Sequence, residues 1–157
     1  MQYMNNNILA NAPLVSAFFA WLIAQLLKPF ISMISGNKFN PHLLISTGGM
    51  PSSHTATVVA LSTSIGLTKG VGSTYFAIAL IFSIIVIHDA MNIRAEAGKQ
   101  AEVINEWSRL LSDIHKGGPF TPENLKTMLG HSFSQVIGGF ILGLIVSFIL
   151  TYVISPW

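Results

Sequence analysis

At 157 residues and 17.0 kDa the chain is about one domain long, yet 51% of it is hydrophobic and only 9% is charged, with a mean hydropathy of +0.60. Soluble domains carry about 25% charged residues, so this composition excludes a water-soluble globule and makes lipid the expected solvent. Zero cysteines exclude a disulfide scaffold, a thiolate metal site and a cysteine nucleophile, and the eight Lys and Arg behind the formal net charge of +2 form no run suited to nucleic acid.

Residues 1–27 hold no charged side chain, and the stretch from Ile8 to Leu27, prolonged by Lys28-Pro29-Phe30, is long enough for the roughly 20 residues a bilayer helix needs. It lacks the basic start and small-residue cleavage site of a signal peptide, so it is expected to be the first span (8–30). Apolar runs from Thr55 to Thr68 and from Tyr75 to Ile87 predict two further spans, over 53–68 and 73–91. Their starts are capped by Ser52 or Ser53 and by Ser73, and the turn between them is Lys69-Gly70-Val71-Gly72-Ser73. A helix is then predicted from Ala90 to Leu111, followed by a loop through Gly117-Gly118-Pro119. A short helix comes next, with Thr121 as N-cap, Pro122 at its first position and Gly130 beyond its end. The fourth span covers 132–154, and Trp157 stands where an interfacial anchor belongs.

The predicted fold class is all-α: one membrane-embedded domain over 1–157, a helical bundle of about four transmembrane helices plus a cytoplasmic interfacial helix. Four spans place the termini on one side with Lys69, and segments 28–53 and 88–133 on the other with Lys28, Lys38, Arg94, Lys99, Arg109, Lys116 and Lys126. The positive-inside rule puts that second side in the cytoplasm, so the chain is expected as a multi-pass protein of the cell (inner) membrane.

Polar groups gather at the cytoplasmic ends of these spans. Lys28 ends the first, Ser52-Ser53-His54 open the second, His88 and Asp89 end the third, and His131 precedes the fourth. Ionisable groups at one depth of a bundle mark a functional site, because each is costly near lipid unless partnered. Within Ser46-Thr47-Gly48-Gly49-Met50-Pro51-Ser52-Ser53-His54, glycines allow close backbone approach. Serines and amides at a helix start offer an anion site reinforced by the helix dipole. The alternative for any one of these residues is capping or interfacial snorkelling.

Pro51-Ser52-Ser53-His54 resembles the Pro-Ser-Gly-His signature of the type 2 phosphatidic acid phosphatases and vanadium haloperoxidases. His131-Ser-Phe-Ser-Gln135-Val136, followed by Gly139 and Gly143, is similar to that superfamily's His-x-x-x-Asp-Val segment. The string Thr-Gly-Gly-Met-Pro-Ser-Ser-His, with Asp89 through Arg94 to Gly98, Gln100-Ala101 and Leu129-Gly130-His131, looks like its short divergent branch over about residues 13–152. The resemblance implies catalytic roles for His131 as nucleophile and His54 as the acid that protonates the leaving alkoxide. It implies phosphate-binding roles for Lys28, Ser52, Ser53 and Arg94, with no metal and no cofactor. Three positions depart from the pattern. Ser35 stands where the first motif has an arginine, Arg94 lies a whole segment before the histidine, and Gln135 replaces the orienting aspartate. Gln135 can accept the imidazole N–H but brings no charge, and Asp89 supplies that charge if the third span packs beside the fourth.

The expected function is a metal-independent membrane lipid phosphatase acting on a phosphomonoester or diphosphate headgroup through a phosphohistidine. A cytoplasmic site favours phosphatidylglycerophosphate or phosphatidate over undecaprenyl diphosphate. The alternative is a noncatalytic protein that binds anionic lipid or scaffolds an assembly, and a transporter is the third choice. Expected partners are a lipid phosphate substrate and membrane lipids, with no nucleic acid. Gly138-Gly139 and Gly143 permit close helix contact inside the bundle or in a homodimer, and Arg94, Gly98, Ala101 and Asn105 share one face of the predicted cytoplasmic helix.

Overall fold

The computed structural model describes residues 7–46, 48–114, 125, 127 and 132–155, apart from the side chains of Arg94, Ala95 and Asp113. The described chain is helical: α1 (Ala12–Ile34), α2 (Ser53–Lys69), α3 (Thr74–His88), α4 (Arg94–Ile114) and α5 (Phe133–Ile154), with short 3-10 turns at Ile8–Ala10 and Pro41–Leu44. The short helix expected from Thr121 to Gly130, the Gly117-Gly118-Pro119 loop, His131 and Trp157 lie outside the described residues.

Three stretches are long and apolar enough to cross a membrane: Ala12–Ile34, Thr74–Ser112 and Phe133–Ile154. The fourth expected span, α2, is not among them. At 17 residues it is about 25 Å long, and its composition is rich in Ser, Thr and Ala because α1, α3 and α5 surround it. Shielded from lipid on these sides, α2 needs no hydrocarbon-facing surface, and Ser53, Thr55, Ala56, Val58, Val59, Ala60, Ser62 and Ser64 are all buried. The first span also begins later than expected, at Ala12, where Asn11 caps the helix through its side chain (3.2 Å to Leu14 N) and Pro13 sits in the first turn.

Helices α1, α2 and α5 pack mutually, and α3 lies on α2. Small residues set the spacing. On α1 the buried positions Ala12, Ser16, Ala20, Ala24 and Lys28 recur every fourth residue, which aligns them on one face. On α5 a Cβ added to Gly143 would lie 2.7 Å from the Ala56 carbonyl oxygen and 3.0 Å from Val59 Cβ, and one added to Gly139 would collide with the Ser52 carbonyl oxygen. In lipid, helix association depends on such close packing rather than on water exclusion. The glycine pair is therefore used inside the chain, against α2. Hydroxyls tie the same seams: Thr151 Oγ1 donates to Ser64 Oγ (2.6 Å), and Ser83 Oγ on α3 to the Val58 carbonyl on α2 (3.0 Å).

Between α3 and α4 the chain stays helical through a π-helical stretch, Asp89–Ile93. The helix expected from Ala90 to Leu111 is thus a continuation of the third span that regains α-geometry at Arg94 and is described as far as Ile114. The stripe expected on its face is the side of α4 turned inward: Gly98 and Ala101 are buried, and Asn105 pairs with the Leu125 backbone through both Nδ2→O and N→Oδ1 at 2.9 Å.

Candidate functional site

At one end of the bundle the chain places a buried cation beside the start of a helix. Lys28 is 1% exposed although it lies in the last third of α1. Its Nζ donates to the Ser46 carbonyl at 2.7 Å and lies 3.5 Å from Ser53 Oγ. The loop leading to α2 folds over its stem: a Cβ on Gly49, whose φ is +92°, would touch Lys28 Cγ and Cδ at 3.6 Å. Glycine is used here because the turn requires that φ. Both of these acceptors are neutral. An anion docked at this point would supply the negative charge that a buried ammonium lacks, which reduces the cost of desolvating it.

The start of α2 is built by its own serines. Ser52, buried, is the N-cap; its Oγ accepts from Thr55 N (3.3 Å) and from Thr55 Oγ1 (3.0 Å). Ser46 Oγ likewise accepts from Gly48 N at 3.1 Å, shaping the loop. Ser53 and His54 form the first turn of α2, so the positive end of the helix dipole and the Lys28 ammonium converge on Ser53. Of the expected site residues the structure brings Lys28 and Ser53 together, with Ser52 as the adjoining N-cap; Ser46, expected only as part of the loop, supplies the carbonyl that holds the lysine. The double glycine after it was the available signal that the loop closes tightly on something.

The second histidine motif is joined to the first through the backbone. Ser52 N donates to the Gln135 carbonyl at 2.9 Å, so the first turn of α5 is fastened to the N-cap of α2. His131 lies outside the described residues; Ser132, the next residue, caps α5. The Gln135 side chain takes part in that cap, its Oε1 accepting from Ser132 N at 3.2 Å. An amide oxygen has two lone pairs, so this bond occupies part of its capacity.

His54 opens onto a cavity of about 530 Å³ lined by Ile84, Ile85, Val86, His88, Asp89, Ala90 and Ile93. Asp89 therefore shares a cavity with His54, on the side of α2 where α3 packs. The backbone of Arg94 begins α4 directly after the π-helical stretch, and its side chain is not described. A cavity of similar size, about 540 Å³, sits at the opposite end of the bundle between Asn7, Asn11, Thr68, Lys69 and Ser155. Size does not choose between them. The first is lined by two histidines and a carboxylate, and the second, among the described residues, by a lysine as its one ionisable side chain. No cluster of His, Cys, Asp and Glu suited to a metal ion occurs among the described residues.

Comparison with known proteins agrees with the motifs. No solved structure matches the chain. An uncharacterized membrane protein of Bacillus subtilis (strain 168), YuiD, is 39% identical over 154 residues, covering 92% of this chain and 97% of that relative. Residues 9–146 match the family described as the divergent PAP2 family, a range that contains both histidine motifs, Lys28 and the π-helical stretch. On that extent of match the chain is a membrane protein of the divergent PAP2 family.

Proposed function

We propose that the protein is a lipid phosphatase that removes phosphate from a phosphomonoester or diphosphate headgroup at the cytoplasmic face of the membrane, with phosphatidylglycerophosphate or phosphatidate as substrate. The observation that carries this reading is the buried Lys28 ammonium, whose partners among the described residues are neutral oxygens, the Ser46 carbonyl and, at 3.5 Å, Ser53 Oγ at the N-terminus of α2. This arrangement supports an anion site at the end of the bundle, with His54 in the next position of the helix.

In this mechanism Lys28, the α2 amides, Ser52, Ser53 and Arg94 hold the phosphate oxygens and stabilise the charge that spreads over them during transfer. The His131 imidazole attacks phosphorus; a P–N bond forms as the P–O bond to the lipid alkoxide breaks, and His54 gives its proton to that alkoxide. Water then attacks the phosphohistidine, releasing inorganic phosphate and restoring His131. The apolar walls of the His54 cavity, Ile84, Ile85 and Ile93, suit a substrate that carries a hydrocarbon chain. The cytoplasmic side rests on the distribution of Lys and Arg.

The test is release of inorganic phosphate from a panel of short-chain lipid phosphates by purified protein. Turnover that is insensitive to chelator, inhibited by vanadate and lost in His131→Ala supports the reading. Turnover that survives His131→Ala removes the nucleophile. A second reading, noncatalytic binding of anionic lipid, is favoured by one observation: the residue that replaces the family's aspartate, Gln135, serves the cap of α5. Lipid binding without phosphate release from any substrate would select it.

A further inference from the structure

Helix α4 has three distinct sides. The small stripe of Gly98, Ala101 and Asn105 faces inward, with Asn105 bonded to Leu125. Glu102, Glu106 and Arg109 form an exposed charged side. The third side carries Val103, Ile104, Trp107, Leu110, Leu111 and Ile114, all exposed, with Trp107 at 63% and Ile114 at 73%. These residues recur at helical spacing and make one continuous apolar arc, and among the described residues no helix packs across it.

We propose that the chain bends at the π-helical stretch, a common site of helix kinks, so that α4 runs along the membrane surface with its apolar side sunk to the boundary between headgroups and acyl chains. Three features select lipid as the occupant. First, α3 and the π-helical stretch together contribute the 20 residues Thr74–Ile93, about 30 Å of helix, which uses up the hydrocarbon thickness so that α4 starts at the interface. Second, Ile93, 62% exposed, is an apolar residue of the His54 cavity that directly precedes α4, so the cavity and the helix adjoin. Trp107 near its middle is the residue type that settles at headgroup depth. Third, the first turns of the same arc carry Glu96, which pairs with Lys99 at 2.7 Å while both remain largely exposed, and Gln100. A dry seam against a second copy would strip water from this ion pair at a cost, whereas the bilayer surface leaves it wet. Held in this way, α4 keeps the π-helical stretch, and with it Asp89 and the mouth of the His54 cavity, at headgroup level. The inference does not depend on catalysis.

The chain has no native cysteine, so single cysteines at Ile104, Trp107, Leu111, Glu102, Glu106 and Arg109 can each carry a spin label in the full-length protein. The variants are reconstituted in phosphatidylcholine and phosphatidylglycerol vesicles. Relaxation by oxygen, which partitions into lipid, is compared with relaxation by a water-soluble nickel chelate. The expected ratio of oxygen to nickel relaxation is severalfold higher at 104, 107 and 111 than at 102, 106 and 109, following the helical repeat. Equal, water-like ratios at all six sites would overturn the proposal. So would exclusion of both agents from 104, 107 and 111, which would mean a protein partner covers the arc. A variant with Trp21→Phe and Trp157→Phe checks the native side chain: emission from Trp107 should be quenched by lipids brominated near the headgroup, and absence of that quenching also refutes the placement.

Discussion

Adjacent glycines at the head of α5 offer a sharp test of how the bundle is assembled. Gly138 and Gly139 differ by one position and should respond in opposite ways to alanine. At Gly138 the new methyl would meet the Met50 side-chain terminus at 3.1 Å, a flexible group that can turn away. The substitution then gains helix propensity, up to about 1 kcal/mol. At Gly139 the methyl would run into the Ser52 carbonyl oxygen and lie 3.0 Å from Thr55 Cβ, and neither can move without shifting α2. Overpacking of this kind costs roughly 1–3 kcal/mol. Because the displacement pulls α5 from the N-cap of α2, it also weakens the bond from Ser52 N to the Gln135 carbonyl, worth about 1 kcal/mol. After the propensity gain the net loss is about 2 kcal/mol, and the gap between the two variants is about 2–3 kcal/mol. For a chain of this length that corresponds to roughly 5–10 °C in melting temperature, measured by the loss of helical circular dichroism in detergent micelles. Gly143→Ala, facing the Ala56 carbonyl oxygen at 2.7 Å, should follow Gly139→Ala. If Gly139→Ala melts at or above Gly138→Ala, the close seam between α5 and α2 is not what holds this end of the bundle.

Lys28→Met keeps most of the aliphatic stem that Gly49 covers and removes the ammonium from Ser46 and Ser53; phosphate release should fall by about 10²-fold or more with helical content unchanged, and a loss under threefold would remove Lys28 from the site. If Asp89 supports the acid His54 through their shared cavity, Asp89→Asn should depress turnover most for lipids with poor leaving groups, whereas an equal loss on aryl phosphates would argue against that role. Gln135→Asp restores a charge but keeps an acceptor for Ser132 N, so raised turnover with an unchanged melting temperature is expected if this position orients His131; unchanged turnover would confine Gln135 to capping. A single cysteine at Asn37, exposed after α1, should resist impermeant thiol reagents in intact cells and react after permeabilisation; labelling in intact cells would reverse the topology.

Much of this protein follows from its sequence because the physics involved is local or compositional. Too few charges to cover a soluble surface make it a membrane protein, and apolar length places α1, α3 and α5 within a few residues of their observed ends. The string from Ser46 to His54 marks a capped helix start after a glycine turn on its own, since a glycine turn, an N-cap serine and a helix dipole are properties of adjacent residues. Lys28 is readable as a polar residue at a span's end. Its burial under Gly49 is not, because that contact joins residues about 20 apart and needs the loop to fold back. Tertiary structure alone decides that α2, the least apolar of the helices expected to span, is the one enclosed by the others, so that its serines and alanines form the packing surface of the bundle. It alone decides that Gly139 and Gly143 are spent on α2, and that Asp89 faces the cavity of His54. The π-helical stretch from Asp89 to Ile93 lies between two long-range ties, Ser83 to the Val58 carbonyl before it and Asn105 to Leu125 after it, and contacts between distant segments are not legible in the five residues themselves.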